Sequence, residues 1–102
     1  MSRPDASPRE ERAAPPRTLV LIPAHNEGPR IGAVAAAARA HLPVLVIDDG
    51  SADDTAARAG EAGAEVLRLT PNRGKGAALR AGFRRALDEG YDGALTLDGD
   101  GQ

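Results

Sequence analysis

Four short segments carry most of the side chains in this sequence that could do chemistry. They are rich in Asp, Asn, Glu and Lys, and each follows a short apolar run. The segments are 23–27 (PAHNE), 48–51 (DDGS), 72–76 (NRGKG) and 98–102 (DGDGQ). Together they supply five carboxylates and two cations: Glu27, Asp48, Asp49, Asp98, Asp100, Arg73 and Lys75. Such groups suit the binding of a metal ion or of a phosphorylated ligand.

The last segment offers hard oxygen ligands. Asp98 and Asp100 are separated by one glycine, and Gln102 follows two residues later. Oxygen ligands of this kind suit Mg²⁺ or Mn²⁺, and two carboxylates this close repel one another unless a cation lies between them. A solvated acidic turn has the same composition. Taken alone, the motif leaves both interpretations open.

The pair Asp48-Asp49 also has two interpretations. One aspartate can cap the helix that follows, with Gly50 supplying a positive φ. One carboxylate can instead point into a crevice and accept hydrogen bonds from a base or a ribose. Two adjacent aspartates allow both, because a cap needs only one.

The segment around Lys75 predicts an anion site or an ordered loop. A Walker A motif would need glycine at Leu69 and Ser or Thr at Gly76, so that motif is excluded. What remains is a lysine between two glycines that opens a helix, where free N–H groups favour an anion. Close packing alone would explain Gly76 and Gly82 equally well. A single histidine makes no zinc site, so His25 is predicted to form loop hydrogen bonds.

Alternating strands and helices are predicted to position these segments. The apolar runs predict buried strands, and the helical spacing of apolar residues predicts helices between them. The strands are Thr18–Ile22, Val44–Ile47, Glu65–Leu69 (at an edge) and Ala94–Leu97. The first predicted helix is Arg30–His41. The second is opened by a capping box of Ser51 and Asp54 and ended by Gly63. The third is Lys75–Leu87, with Leu79, Phe83, Ala86 and Leu87 on its buried face. This alternation predicts an α/β protein with a Rossmann-like parallel sheet, whose strand ends bring the four segments to one edge.

Composition narrows the possible partners. The formal net charge of -2 argues against a nucleic-acid partner, and the absence of cysteine excludes disulfides and thiolate metal sites. No apolar run approaches the ~20 residues of a membrane helix, and no signal peptide is evident. We therefore expect a cytoplasmic chain without a membrane segment, with the inner face of the membrane as an option for a full-length protein. Residues 1–17 contain four prolines and few large apolar side chains, which predicts a disordered tail.

Taken in order, the segments resemble glycosyltransferase family 2. Residues 21–27 (LIPAHNE) are similar to its opening I-P-x-x-N-E motif, and residues 46–55 (VIDDGSADDT) to its V-D-D-G-S-x-D-x-T motif. Residues 72–79 (NRGKGAAL) and 97–102 (LDGDGQ) resemble the N-x-G-K-G-x-A-L and L-D-x-D-x-Q motifs of the branch with dolichyl- and polyprenyl-phosphate mannosyl- and glucosyltransferases.

The resemblance implies an A-type glycosyltransferase fold and the transfer of a hexose from a UDP- or GDP-linked sugar to an acceptor such as a polyprenyl phosphate. It implies a nucleotide site made of Pro23, Ala24, Asn26, Glu27, Asp49, Lys75 and Asp98, with Asp49 at the base. It implies Mg²⁺ or Mn²⁺ on Asp98, Asp100 and Gln102, where the ion would stabilise the leaving diphosphate. His25 stands where the family often has an aromatic residue, which leaves base stacking open.

Three other functions fit parts of the pattern. A nucleotidyltransferase would carry a basic, glycine-rich loop after the first strand, where this sequence has Asn26 and Glu27. A phospho-receiver module would carry its acid pair after the first strand, whereas here the pair follows the second. A non-catalytic nucleotide-binding module stays open.

Because the metal motif comes last, we expect residues 18–102 to form the nucleotide-sugar-binding half of a domain, an N-terminal four-strand fragment. By itself this half is expected to be inactive and poorly stable. The strand order 3-2-1-4 that the resemblance implies would leave the third helix alone on one face, with apolar surface uncovered there.

Overall fold

The structure, a computed structural model, describes residues 16–99. Its elements alternate strictly along the chain: β1 Thr18–Ala24, α1 Gly28–Arg39, β2 Val44–Asp49, α2 Thr55–Glu61, β3 Glu65–Leu69, α3 Lys75–Asp88 and β4 Gly93–Thr96. The four strands are parallel and lie in the order β3-β2-β1-β4. The predicted α/β class, the Rossmann-like sheet and the strand order are confirmed.

The apolar strand residues divide between the two faces of the sheet. Those on one face pack with α1 and α2, and those on the other pack with α3. The first cluster includes Val20, Ile22, Val44 and Val46, and the second includes Leu19, Leu21, Leu45 and Ile47. Side chains alternate across a strand, so continuous apolar runs are what a sheet covered on both faces requires. As predicted, β3 at the edge is more exposed than β2, which is buried at every position.

Two elements begin or end differently from the prediction. The predicted first strand stops at Ile22, where the apolar run ends, but β1 continues to Ala24. β4 pairs with β1 only up to Leu21, so the ladder with β4 does not need an N–H from Pro23. Helix α1 begins at Gly28 and not at Arg30, because Pro29 suits the first helical turn.

The predicted buried face of α3 is wrong except at Ala86. The residues buried against the sheet are Ala78, Gly82 and Ala86, whereas Phe83 is 44% exposed and Leu87 74% exposed. A Cβ at position 82 would lie 2.9 Å from Ile47 Cδ1. The helix therefore lies so close to the strands that only small residues fit beneath it.

The predicted capping box does not form. Helix α2 begins at Thr55 after Asp54, which makes no side-chain capping bond. The Ser51 hydroxyl instead accepts a hydrogen bond from the Asn26 N–H, at 2.8 Å. Ser51 thus joins two loops and does not start a helix. Gly63 does adopt the positive φ expected after this helix.

Only part of the exposed apolar surface in the described residues lies where the prediction placed it. Helix α3 does lie alone on its face, and its Phe83 and Leu87 are exposed. The exposed strand residue Leu95, however, aligns with Val20, which faces α1 and α2. These two helices lie over β1, β2 and β3, so the β4 side of their own face stays open.

The chain before β1 is held at the start of β4. Arg17 N donates to Asp92 Oδ2 at 2.7 Å, and the Arg17 guanidinium lies 4.4 Å from the centre of the Tyr91 ring. Arg17, assigned to the tail in the prediction, is thus attached to the fold, and residues 1–15 lie outside the described part. In residues 16–99 no helix has the length and apolar character needed to cross a membrane.

Candidate functional site

A pocket of about 380 Å³ opens at the carboxyl edge of the sheet, where the loops after all four strands meet. This is the edge at which parallel α/β sheets bind ligands. The pocket is lined by Pro23, Ala24, His25, Glu27, Asp49, Asn72, Gly74, Lys75, Ala78, Asp98 and Gly99. Six of the seven residues predicted for the nucleotide line it. Asn26 is the exception.

Asn26 does not line the pocket but holds the loop after β1 in place through hydrogen bonds. Its φ of 54° lies in the left-handed region, which Asn tolerates better than most residues. Its N–H donates to Ser51 Oγ, and its Oδ1 accepts from Ala52 N, both at 2.8 Å. These bonds tie the loop after β1 to the loop after β2. The structure therefore gives Asn26 a supporting position.

A buried hydroxyl fixes the residue that follows. Thr55 is fully buried, and its Oγ1 accepts a hydrogen bond from Glu27 N at 2.9 Å. The same hydroxyl donates to Asp53 Oδ1, while Asp53 Oδ2 accepts from Gly28 N at 3.1 Å. The pKa of Asp53 lies below its usual 3.8, mainly because of the hydrogen bond from the Thr55 side chain. Burial raises this pKa by less than that bond lowers it, and the N–H groups of Thr55 and Gly28 lower it further.

Glu27 brings acceptor capacity into the pocket. Its Oε1 is buried without a hydrogen-bond partner among the described residues. Arg30 Nε lies 3.4 Å from this oxygen, which makes an ion pair but not a hydrogen bond. A buried carboxylate oxygen in this state is suited to accept a hydrogen bond from a ligand.

The two adjacent aspartates point to opposite faces of the sheet. Asp48 is fully buried, and its Oδ1 closes the following turn by accepting from Ser51 N at 3.0 Å. Its Oδ2 lies 3.2 Å from Arg68 Nε without hydrogen-bond geometry. Asp48 therefore neither caps a helix nor lines the pocket. Asp49, one residue later, faces the α3 side and lines the pocket.

The Asp49 carboxylate holds the loop that precedes α3. Its Oδ1 accepts from Arg73 N at 2.8 Å, and its Oδ2 accepts from Gly74 N at 2.7 Å and from Asn72 Nδ2 at 3.1 Å. The resemblance implied a contact between Asp49 and a base. The structure shows that these oxygens already accept three hydrogen bonds within the protein.

His25 forms loop hydrogen bonds, as predicted. Its Nδ1 lies 2.8 Å from Asp49 O, and its Nε2 lies 3.3 Å from Asn26 Nδ2. A proton on Nδ1 lets the ring donate to Asp49 O and accept from Asn26 Nδ2, and we assign that tautomer from these partners. Asn72 Nδ2, which also lies 3.1 Å from Nδ1, then donates to Asp49 instead. The ring is exposed and lines the pocket.

Lys75 and Asp98 face one another across the pocket. Lys75 Nζ lies 2.8 Å from Asp98 Oδ1, and the two side chains are 64% and 47% exposed. Asp100 and Gln102, the other predicted metal ligands, lie outside the described residues. Between residues 16 and 99 no cluster of three or more His, Cys, Asp or Glu side chains could hold a metal ion.

Sequence reasoning gave Asn72 no role of its own. Asn72 lines the pocket, and its Nδ2 also lies 2.9 Å from Asp49 O. Gly50 has the predicted positive φ, at 70°, and a Cβ there would lie 2.5 Å from Asn72 N. The signal was present in the N-R-G-K-G run, but nothing local to it indicated that the loop packs on Gly50.

Comparison with known proteins identifies close similarities over nearly the whole described region. Residues 19–102 match the family described as glycosyl transferase family 2. Polyprenol monophosphomannose synthase of Mycolicibacterium smegmatis is 37% identical over 94 residues, which cover 83% of this chain and 36% of that protein. Undecaprenyl-phosphate mannosyltransferase of Micrococcus luteus is 39% identical over 93 residues, covering 83% and 38%. The chain thus spans little more than a third of the length of these relatives.

Solved structures of related enzymes share the fold. Glucosyl-3-phosphoglycerate synthase from Mycobacterium tuberculosis, in complex with Mn²⁺, uridine diphosphate and glucosyl-3-phosphoglycerate, superposes with a TM-score of 0.70 at 28% identity. The match covers 97% of this chain and 39% of that one. The same enzyme with Mg²⁺ and uridine diphosphate gives a TM-score of 0.69.

Proposed function

The chain belongs to glycosyl transferase family 2, and from that premise we propose that the protein transfers a hexose from a nucleotide-diphosphate sugar to a polyprenyl phosphate, with the help of a divalent metal ion. One observation carries the proposal. The carboxyl edge of an A-type glycosyltransferase sheet holds a pocket lined by six of the seven residues predicted for the nucleotide. The lipid-phosphate acceptor is suggested by the names of the two relatives that are 37% and 39% identical.

The nucleoside would lie against the loop after β1. Pro23 and Ala24 supply an apolar wall, Glu27 supplies an acceptor oxygen, and the exposed His25 ring supplies a flat surface. Hydrogen bonds to Ser51 and Thr55 hold this loop in place before a ligand arrives, so little ordering entropy would be lost on binding.

The charge of the pocket favours a metal-assisted ligand. Among the described lining residues, Glu27, Asp49 and Asp98 are acidic and Lys75 is basic. A diphosphate entering such a lining would be repelled by the carboxylates unless a cation accompanied it. Hard oxygen donors suit Mg²⁺ or Mn²⁺, so the residues present fit the proposed ion. We propose Asp98, Asp100 and Gln102 as its ligands.

In this proposal the chain's own residues bind and orient the donor. Lys75 would pair with diphosphate oxygens at the amino end of α3, where backbone N–H groups also favour an anion. Asp98 would hold the divalent ion, which supplies Lewis-acid stabilisation of the charge on the departing nucleoside diphosphate. The Glu27 and Asp49 loops would keep the nucleoside fixed while the bond to the sugar breaks. The acceptor phosphate would then attack the sugar carbon.

The choice between uridine and guanosine diphosphate is part of the proposed test. A polyprenyl-phosphate acceptor also implies that the transfer reaction takes place at the inner face of a membrane, with this part of the chain on the cytoplasmic side.

Calorimetry with the purified chain tests the proposal. Uridine diphosphate or guanosine diphosphate should bind with Mn²⁺ or Mg²⁺ present and bind much more weakly without it. Asp98→Asn should weaken the metal-dependent binding by about tenfold or more, because even the loss of a residue that only orients a metal ligand lowers metal affinity by about that factor. The matched control is Asp54→Asn, which changes an exposed carboxylate outside the pocket and should leave binding unchanged. Binding that ignores the metal, or an equal loss in both variants, would sink the assignment.

A further inference from the structure

We propose that Asp49 is a positioning residue, which folds the loop at residues 72–74 and thereby sets Lys75 opposite Asp98. The ligand-binding part of this inference rests on the proposed function. The loop-folding part concerns the protein alone.

The Asp49 carboxylate contacts two main-chain N–H groups and one side chain of a loop that is distant in sequence. Arg73 N and Gly74 N donate to its two oxygens at 2.8 and 2.7 Å. The Asn72 amide donates to the same carboxylate at 3.1 Å and to the Asp49 main-chain oxygen at 2.9 Å. Asp49 is only 3% exposed, so these charge-assisted bonds are shielded from water.

The neighbouring glycine lets the loop come close. At position 50 a Cβ would lie 2.5 Å from Asn72 N and 2.8 Å from Asn72 Cα. A side chain at Gly50 would therefore push the loop away from β2. The φ of 70° adds strain for any other residue. The end of β2 is thus shaped to receive this loop.

Lys75 follows the held segment directly. It is the first residue of α3, and its Nζ reaches Asp98 Oδ1 at 2.8 Å. A continuous path of contacts therefore runs from Asp49 through Gly74 and Lys75 to Asp98. Because Lys75 and Asp98 are largely exposed, their pairing has little strength of its own, and its geometry depends on where the main chain places Lys75.

This path predicts a specific effect on ligands. A carboxylate has about four acceptor positions, and three of those on Asp49 are used within the protein. Removing the Asp49 charge should therefore weaken binding at the diphosphate end of a nucleotide, through Lys75, beyond any loss at the nucleoside end.

A double-mutant cycle with two ligands tests the path. Asp49→Asn, Lys75→Met and the double variant are titrated with uridine diphosphate plus Mn²⁺ and with uridine alone, or with the guanosine pair if that base is preferred. Each single variant should lose several-fold in affinity for the diphosphate. The double variant should be about as weak as the weaker single variant, because residues that act through one another are not additive. The nucleoside titration measures any direct contact of Asp49 with the base, and the loss for the diphosphate in Asp49→Asn should exceed the loss for the nucleoside. Additive losses for the diphosphate, or equal losses for the two ligands in Asp49→Asn, would overturn the proposal.

Amide hydrogen exchange in the ligand-free protein tests the loop without any ligand. Asp49→Asn should speed exchange at Arg73 and Gly74 and leave the β1 and β2 amides protected. Unchanged exchange at these two amides would refute the proposal. If the wild-type chain bound no nucleotide, the proposed function would fail while this measurement still decided the inference.

Asn72→Ala provides a milder second variant if Asp49→Asn does not fold. Asn72 is exposed, and the change removes one donor to the Asp49 carboxylate while leaving the two main-chain donors. It should give the same pattern of exchange with a smaller amplitude. A protected loop in this variant would count against the proposal.

Discussion

The two sides of the pocket are built differently. The loops after β1, β2 and β3 are joined by hydrogen bonds that involve buried or nearly buried groups such as Asp49, Ser51 and Thr55. On the β4 side, buried Gly99 packs against the loop after β1, and the Asp98 side chain reaches the other loops through its ion pair with Lys75, the two side chains being 47% and 64% exposed. The proposed nucleoside wall is thus held by several hydrogen bonds, whereas the side chain of the proposed metal ligand Asp98 is held by a contact that water and salt screen.

The position of each strand in the sheet explains this difference. β2 has a neighbour on either side and is buried at all six positions. Among residues 16–99, β4 pairs only with β1, and both Leu95 in β4 and Leu97 just after it are about half exposed. A loop that leaves a central strand is surrounded by other loops and can exchange hydrogen bonds with them. A loop that leaves an edge strand has such neighbours on one side only.

The largest expected effect contrasts the core of the sheet with its β4 edge. Ile47→Ala should lower the free energy of unfolding by about 2–5 kcal/mol, because Ile47 is fully buried between the sheet and α3. Leu95→Ala should cost less than about 1 kcal/mol, because Leu95 is 54% exposed. Urea unfolding followed by circular dichroism measures both. Equal costs would mean that the β4 side is covered as well as the centre.

A smaller effect is expected within the loop network. Thr55→Val keeps the shape of the side chain but leaves Glu27 N without its acceptor, at a cost of about 1–3 kcal/mol. Amide exchange at Glu27 should become faster in this variant, whereas Thr55→Ser, which keeps the hydroxyl, should preserve protection there. If Val and Ser expose this amide equally, the hydroxyl does not hold the pocket wall.

Much of the fold followed from the sequence because local patterns determine it. Short apolar runs separated by helix-length segments are enough to predict parallel strands, and chain connectivity then limits their order. The buried face of α3 could not be found in this way. Large apolar residues such as Phe83 suggested the wrong face, because the distance between the helix and the sheet depends on Gly82 lying against Ile47. Apolar periodicity does not report that distance.

The pocket was predicted better than the reasons for its shape. Motif spacing brought six predicted residues together, but Asn26 lies behind the wall that it was expected to form. The pair Asp48 and Asp49 is separated by the alternation of a strand, which became apparent only once β2 was seen to extend to Asp49. Hydrogen bonds between loops, such as those from Arg73 and Gly74 to Asp49, depend on tertiary structure and have no local signature.

Paramagnetic broadening by Mn²⁺ tests the location of the proposed site most directly. In the presence of uridine or guanosine diphosphate, Mn²⁺ should broaden the amide NMR signals of Gly74, Lys75, Asp98 and Gly99 most strongly. The signals of Gly63 and Gly90, which precede β3 and β4 at the opposite edge of the sheet, should stay sharp. Asp98→Asn should reduce the broadening throughout. Broadening centred on Gly63 and Gly90, or spread evenly over the chain, would contradict a metal-assisted nucleotide site at the carboxyl edge of this sheet.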